Sequence, residues 1–468
     1  MAIPPTFEAI DAEVERALPT MEQLAGELWQ LAELSLQEVK SARRVADLLR
    51  AEGFTITRQG AGGLPTAFLA QWGSGSPVLG VLVEYDALPG LGNEALPRRE
   101  ARKDGTESGH GCGHNLLGSA AIGASIALKN LMSAAALPGT LRVYGCAAEE
   151  TEGAKVYMAR EGLFDDLDAT LHWHPSSDAT VSNYRTAAIN SMRIEFFGKS
   201  SHAGGVPWLG RSALHAAELC AHGINLMREH IEPTARIHYI YEKAGDAPNV
   251  VPDYARIKLY VRDIDRAHVE ASSAWIKQIA EGAALATQTR VEALVYYGLY
   301  DMLPNQPLAE RMQVHLERIG VPSYTAEENA FAHELQGNFG VEPQGMAYEV
   351  QPLCADTRTF GFSTDVGDVS WCAPTVGCSL PTVPLNVGLH TWAATACHGT
   401  RIGLKGMLHA ARVLAATGID ILVDPQLRQA ARADFQRRTG GMPYVSPLAS
   451  QMQRPLELPT WVLEAVGD

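Results

Sequence analysis

The sequence predicts an α/β protein whose mixed central sheet is interrupted by an inserted ferredoxin-like α+β domain. Three observations lead there. Strand-length apolar runs alternate with helical patterns from Ser76 to His174, the mark of an α/β sheet. A complete β-α-β-β-α-β order then runs from about 187 to 300, and a motif of that size can fold around its own core. Helical and turn-rich patterns resume near 301, where the interrupted sheet continues.

The elements follow in order. Residues 9–52 carry apolar side chains at helical spacing, Met21, Leu24, Leu28 and Leu31 among them, and read as two helices. Ser76–Asp86 is a buried-type strand, Leu116–Met132 an Ala-rich helix, and Thr140–Ala147 and Asp168–His174 further strands. In the insert, strand Ala188–Phe197 leads to helix Gly210–His230. Strands Arg236–Glu242 and Tyr254–Arg262, helix Ala267–Thr287 and strand Val291–Tyr297 complete it. The stretch APTVGCSLPTVPLN reads as a Pro-rich loop, followed by a helical stretch at Thr400–Ala416. The expected units are a catalytic domain over 1–186 and 301–468, with the insert at 187–300.

Composition narrows the function. The 468 residues are 46% hydrophobic, enough for more than one domain. A net charge of -15 speaks against nucleic acid, whose phosphates need a basic patch. The first residues read as an acidic helix start and not an export signal, and no run of 18 or more apolar residues suggests a membrane span. Seven cysteines, an odd number, form no disulfide framework, so reduced thiols in the cytoplasm are expected.

Metal-ligand residue types gather where predicted strands end, the place where open α/β sheets bind ligands. Gly109–Asn115 (GHGCGHN) offers His110, Cys112 and His114 among glycines that permit a tight turn. Cysteine and histidine suit Zn and similar divalent ions. A flexible loop or a Cys–His nucleophilic pair are the rival readings. Glu149 and Glu150 follow the strand Thr140–Ala147. Adjacent carboxylates on an extended chain face opposite ways, so one can bind metal while its neighbour faces substrate as a base. Alone such a pair is usually a solvated turn. His172 and His174 share one face of their strand. His174 stands at its mouth as the ligand candidate, and a hydrogen-bonded core role is expected for His172. His390, in GLHTW, is a lone loop histidine, and His398 reads as structural.

With these residues in view, the chain resembles the dinuclear-metal amidohydrolases and exopeptidases that include aminoacylases, carboxypeptidase G and indole-acetyl-amino-acid hydrolases. The nearest likeness is to the branch formed by the B subunit of aminobenzoyl-glutamate hydrolase. It rests on VEYDALPGLGNE, GHGCGHNLLG, AAEETEGAK, LHWHP, KSSHAGGVPWLGRSAL, APNVVPDYARIKLYVR, STDVGDVSW and GLHTW, which span 83–392. The resemblance implies two divalent ions per subunit, Zn or Mn, held by Cys112, His114, Glu150, His174 and His390, with Cys112 bridging. It implies Glu149 as general base and Asp86 as a carboxylate near the metals, either behind the ligands or on the substrate side. It also implies a homodimer in which His202 reaches the partner's active site, and Asn249 and Arg262 facing the substrate carboxylate. One departure stands out: the common CGHD is CGHN here, and Asn115 cannot supply an aspartate's charge.

The expected activity is metal-dependent hydrolysis of an N-acyl or N-aroyl amino acid, a small-molecule amide, with Glu149 taking a proton from a metal-activated water. A dipeptidase using the same two ions is one alternative, distinguished by a pocket for a free amine. A non-catalytic subunit working with a heteromeric partner is another, and the intact Glu149 argues against it.

Overall fold

The computed structural model describes residues 4–465, so the outermost ends of the expected catalytic unit, 1–3 and 466–468, lie outside the described residues. The chain opens with helices α1 (Phe7–Leu31) and α2 (Val39–Ala51), as the apolar spacing predicted. Strands β1 (Thr55–Gln59), β2 (Phe68–Ser74) and β3 (Val78–Glu84) lead to helix α3 (His114–Ala134). Then come β4 (Gly139–Cys146), α4 (Ala154–Arg160), β5 (Ala169–Ser176) and β6 (Thr180–Val181).

The inserted unit follows with β7 (Ala188–Phe197), α5 (Ala213–Met227), β8 (Arg236–Lys243), β9 (Tyr254–Asp263), α6 (Arg266–Thr287) and β10 (Arg290–Leu299). Its strands form an antiparallel sheet in the order β10-β7-β9-β8. Helices α5 and α6 pack on it around a separate core that includes Met192, Phe196, Cys220, Ile257 and Ile276. That is the ferredoxin-like arrangement expected from the element order.

The chain then returns through α7 (Gln306–Ile319), α8 (Ala326–Phe339), α9 (Val366–Ser370), β11 (Thr375–Pro381), α10 (Trp392–His398) and α11 (Arg401–Val423). The large sheet has the order β1-β2-β4-β3-β5-β11-β6. Its centre is parallel, where β3 pairs with β4 and β5, and β5 with β11. Both flanks are antiparallel. One expectation fails here: the Pro-rich stretch read as a loop contains β11, a strand buried along its whole length. A strand covered on both faces shows no polar alternation, and Pro374 and Pro381 sit only at its start and end.

Helices α3 and α11 are long and apolar enough to cross a bilayer, yet 83% and 72% of their most apolar windows are buried inside the protein. Their composition follows from packing against each other and against the sheet. Gly118 brings α3 down onto β3, since a Cβ there would lie 2.6 Å from the Glu84 carbonyl oxygen. The first residue of α3, His114, is thereby held over the end of β3, and the functional residues gather around it.

Candidate metal centre

Four chain segments meet at the carboxyl ends of β3, β4 and β5, the third of them being the last residues of β5 itself. At the first, Gly113 takes a φ of +79° and turns the chain from Cys112 into α3. His114 presents Nδ1 to Asp86 Oδ1 at 2.9 Å. The other Asp86 oxygen accepts from Ser35 Oγ at 2.7 Å and the Glu150 amide at 3.0 Å. Asp86 thus orients a candidate ligand and fixes the backbone of another, as outer carboxylates of metal sites do. Despite the cost of burial, the His114 and Ser35 contacts hold its carboxyl down at about 2.

At the second segment, Ala148 has a φ of +58°, a strained backbone for a residue with a side chain. Its amide donates to Glu38 Oε1 at 2.8 Å, and Glu38 is fully buried. Glu149 and Glu150 both sit in the turn that follows, closed by the Thr151 amide on the Ala148 carbonyl at 3.1 Å, and not on the extended chain expected from the sequence. Glu150 sets Oε1 3.9 Å from His114 Nε2 and Oε2 3.4 Å from His390 Nε2. Glu149 accepts a hydrogen bond from Thr364 Oγ1 at 2.9 Å.

At the third, His174 turns Nδ1 to the Pro175 carbonyl at 2.8 Å, which leaves Nε2 3.3 Å from Cys112 Sγ. At the fourth, His390 also holds a left-handed backbone, φ +61°, and its Nε2 lies 3.3 Å from the same sulfur.

Two donor sets result, Cys112–His114–His174 and Cys112–Glu150–His390, with the atoms of each within 4.8 Å of one another. Cys112 belongs to both. A third set joins Glu84, His114 and Glu149. Buried atoms Glu84 Oε2, His114 Nε2 and Glu150 Oε1 have no hydrogen-bond partner. Buried polar atoms are normally paired, so sulfur, nitrogen and oxygen donors left open around one point fit divalent cations.

Electrostatics agree. Burial, then Glu84, Asp365 and Glu150, push the Glu149 carboxyl well above its usual range. Burial raises Glu150 to about 7 and drives the Cys112 thiol up. So many acidic groups in one dry place repel one another, and a cation would reverse each of these shifts.

One buried cation is already present. Lys155 is fully buried, with Nζ 2.7 Å from Glu84 Oε1 and 2.5 Å from Asp365 Oδ1. Sequence reasoning gave no role to Lys155, Glu84, Thr364, Asp365 or Glu38. The first four lie in the quoted motifs, which is the available signal, whereas Glu38 lies outside them and carries no local signal.

Other expectations are refined. His172 is buried and lines the cleft, but its Nε2 has no hydrogen-bond partner, contrary to the hydrogen-bonded core role expected. His398 is structural as read, with Nδ1 on the His110 carbonyl at 2.7 Å and Nε2 on Thr382 Oγ1 at 3.1 Å. Asn115 donates its amide to the Ala25 and His398 carbonyls at 3.3 and 3.2 Å. An ionised aspartate could not donate these bonds, so the CGHN variation is met by packing behind the site.

The centre opens into a cleft of about 930 Å³. Arg262, on β9, reaches its edge by donating to Ser363 Oγ at 2.8 Å, and Ser363 lines the cleft. His202 and Asn249 are exposed and lie together, joined by a 2.9 Å bond from the Ala203 amide to the Asn249 carbonyl. Neither lines the cleft of its own chain among the described residues.

This arrangement on this fold is that of a metal-dependent hydrolase. Residues 185–288 match the model of a peptidase dimerisation domain. The chain is 37% identical to the B subunit of p-aminobenzoyl-glutamate hydrolase from Escherichia coli (strain K12), over 94% of this chain and 97% of that one. It is 27% identical to Xaa-Arg dipeptidase of Mus musculus, over 92% and 91%. It shares its fold with the Bacillus subtilis YXEP protein, a dinuclear metal binding peptidase: TM-score 0.53, 18% identity, covering 86% of this chain and 98% of that one. The chain belongs to the M20 family of metallopeptidases and amidohydrolases.

Proposed function

We propose that the protein hydrolyses the amide bond of an N-acyl or N-aroyl amino acid, releasing a carboxylic acid and an amino acid. The observation that carries this reading is the pairing at the β4 end: Glu150 in a donor set with Cys112 and His390, and Glu149 beside it, held by Thr364. Cys112, His114, Glu150, His174 and His390 would hold two divalent ions, Zn or Mn, with Cys112 common to both. Bound there, such ions polarise an amide carbonyl and acidify a water.

The chain's own residues supply the rest. Thr364 occupies Glu149 Oε1. Glu149 takes the proton of the attacking water and delivers it to the leaving nitrogen. Arg262 pairs with the substrate carboxylate in a charge-assisted contact. His202 and Asn249, exposed on the inserted unit, serve the cleft of a second copy, His202 stabilising the oxyanion.

The Escherichia coli relative is named as one subunit of its hydrolase, which supports a second reading of assembly, a heteromer with a different chain. The relative named as a dipeptidase supports a second reading of substrate, in which the acyl group carries a free amine. The deciding experiment loads the purified chain with Zn or Mn and assays a panel of N-acyl amino acids beside matching dipeptides. Turnover of the acylated forms, abolished by a chelator and restored by metal, is expected. No turnover by the fully metallated chain alone would overturn the reading of a self-sufficient enzyme.

A further inference from the structure

The connection between α1 and α2 supplies no member of a donor set, yet it reaches both halves of the metal centre. Its backbone is left-handed at Ala32, φ +40°, and at Leu36, φ +66°. Such strain persists only where the surroundings fix it. Glu33 does so: its carboxylate accepts from the Lys40 and Ser41 amides at 3.2 and 2.7 Å, and its carbonyl accepts from the Ala87 amide at 2.8 Å. The connection is thereby seated on the chain just beyond β3.

Two side chains on this seat serve the two halves. Ser35 holds Asp86, the carboxylate on His114. Glu38 holds the other half. Its Oε1 accepts from the Leu36 amide at 3.0 Å and the Ala148 amide at 2.8 Å, and its Oε2 accepts from Thr66 Oγ1 at 3.1 Å. Ala148, itself left-handed, opens the turn that carries Glu149 and Glu150. A buried amide needs an acceptor, and Glu38 is the one it finds.

A fully buried carboxylate is costly without a cation beside it, and among the described residues none pairs with Glu38. Burial, and then Asp86, push its carboxyl up to about 8, so near neutrality it is an uncharged acid. Its contribution is an acceptor oxygen at a fixed place.

We infer that Glu38 is a positioning residue of the metal centre: by fixing the Ala148 amide it sets where Glu150 stands, and so governs the ion of the Cys112–Glu150–His390 set and not that of the Cys112–His114–His174 set. This rests on the two-ion hydrolase reading and deepens it. Groups behind metal ligands carry about 10- to 100-fold in metal affinity.

The test titrates the metal-free protein with Zn in a calorimeter and needs no substrate. The wild type should take two ions. Glu38→Met, which removes the acceptor, should weaken one ion by about 10- to 100-fold and leave the other unchanged. Glu38→Gln keeps the oxygen and should restore wild-type affinity for both. In a His390→Ala background the ion that stays tight should be indifferent to Glu38→Met; in a His174→Ala background the ion that stays tight should still be weakened. Should Glu38→Met fail to fold, Thr66→Val, which removes only the donor to Oε2, should weaken the same ion about threefold.

Two ions bound alike by the wild type and the Met or Val variant would overturn the role. So would both ions weakening in step with a lower urea midpoint, which marks a fold defect, or a Gln variant no better than Met. A wild type that binds no ion overturns the two-ion reading and this role together. The expected Glu38 pattern with no amide turned over would fail the hydrolase reading and leave the role standing.

Discussion

Thr364 Oγ1 donates a 2.9 Å hydrogen bond to Glu149 Oε1 across 215 residues of chain. Thr364 precedes Asp365, which is clamped to Lys155 on α4, and α4 follows the Glu149 turn. The proposed base is therefore held by a loop fixed to its own segment.

Replacing Thr364 with Val keeps the shape and removes the donor. The loss of one bond worth about 1 kcal/mol should lower kcat about fivefold, with KM and metal content unchanged. Thr364→Ser should recover most of it. Glu149→Gln, which removes the base itself, should lower kcat by on the order of 100-fold or more while retaining metal. Steady-state kinetics with metal analysis checks both, and near-normal turnover by metallated Glu149→Gln would rule Glu149 out as base.

Cys112 is shared by two donor sets, so Cys112→Ala should weaken both sites together and abolish activity. Mass spectrometry of the metal content is the measurement. Full metal content, with an acyl adduct trapped on the wild-type thiol, would point to a nucleophile instead.

His202 is exposed and does not line its own chain's cleft among the described residues. In a symmetric dimer each chain can supply His202 to the other site. Mixing Glu149→Ala and His202→Ala chains should give about half mixed dimers, each with one working site, and roughly a quarter of wild-type activity. Zero recovery with mixed dimers demonstrated would place His202 outside the partner's site.

Asn115→Asp should destabilise the fold without touching the cleft. Two buried carbonyls, of Ala25 and His398, would lose their donor and face an acid, a cost of roughly 3 kcal/mol. Unfolding by urea is the readout. An unchanged midpoint would mean that the amide bonds contribute nothing.

Asp368 gives a pH dependence of definite sign. It is fully buried, accepts from Tyr444 Oη at 2.7 Å and the Tyr300 amide at 3.1 Å, and burial raises its pKa from 3.8 to about 7. Between these values the folded chain holds a proton that the unfolded chain has released, so stability falls as pH rises from about 4 to about 7. Above that the contribution is flat. Asp368→Asn should flatten the profile across this window and gain on the wild type at pH values above it. Parallel profiles for the two proteins, measured by thermal unfolding, would count against the raised pKa.

The division of labour between sequence and tertiary structure can be traced residue by residue. Helical spacing at Met21, Leu24 and Leu28 marked α1, and the β-α-β-β-α-β order marked the insert, because periodicity and order are local signals. The CGHN, EE and HWHP clusters were legible because each places its chemistry within a few residues at a strand end. Strand β11 was not, since a strand buried on both faces shows no alternation and its flanking prolines look like a loop. The clamp of Lys155 between Glu84 and Asp365, and the bond from Thr364 to Glu149, join residues 71, 210 and 215 positions apart. No local pattern records such pairs. Sequence determined which donor types stand at which strand end. Tertiary structure decided that Cys112 Sγ falls between His174 and His390, because only packing α3 onto the sheet brings four separate segments to one sulfur.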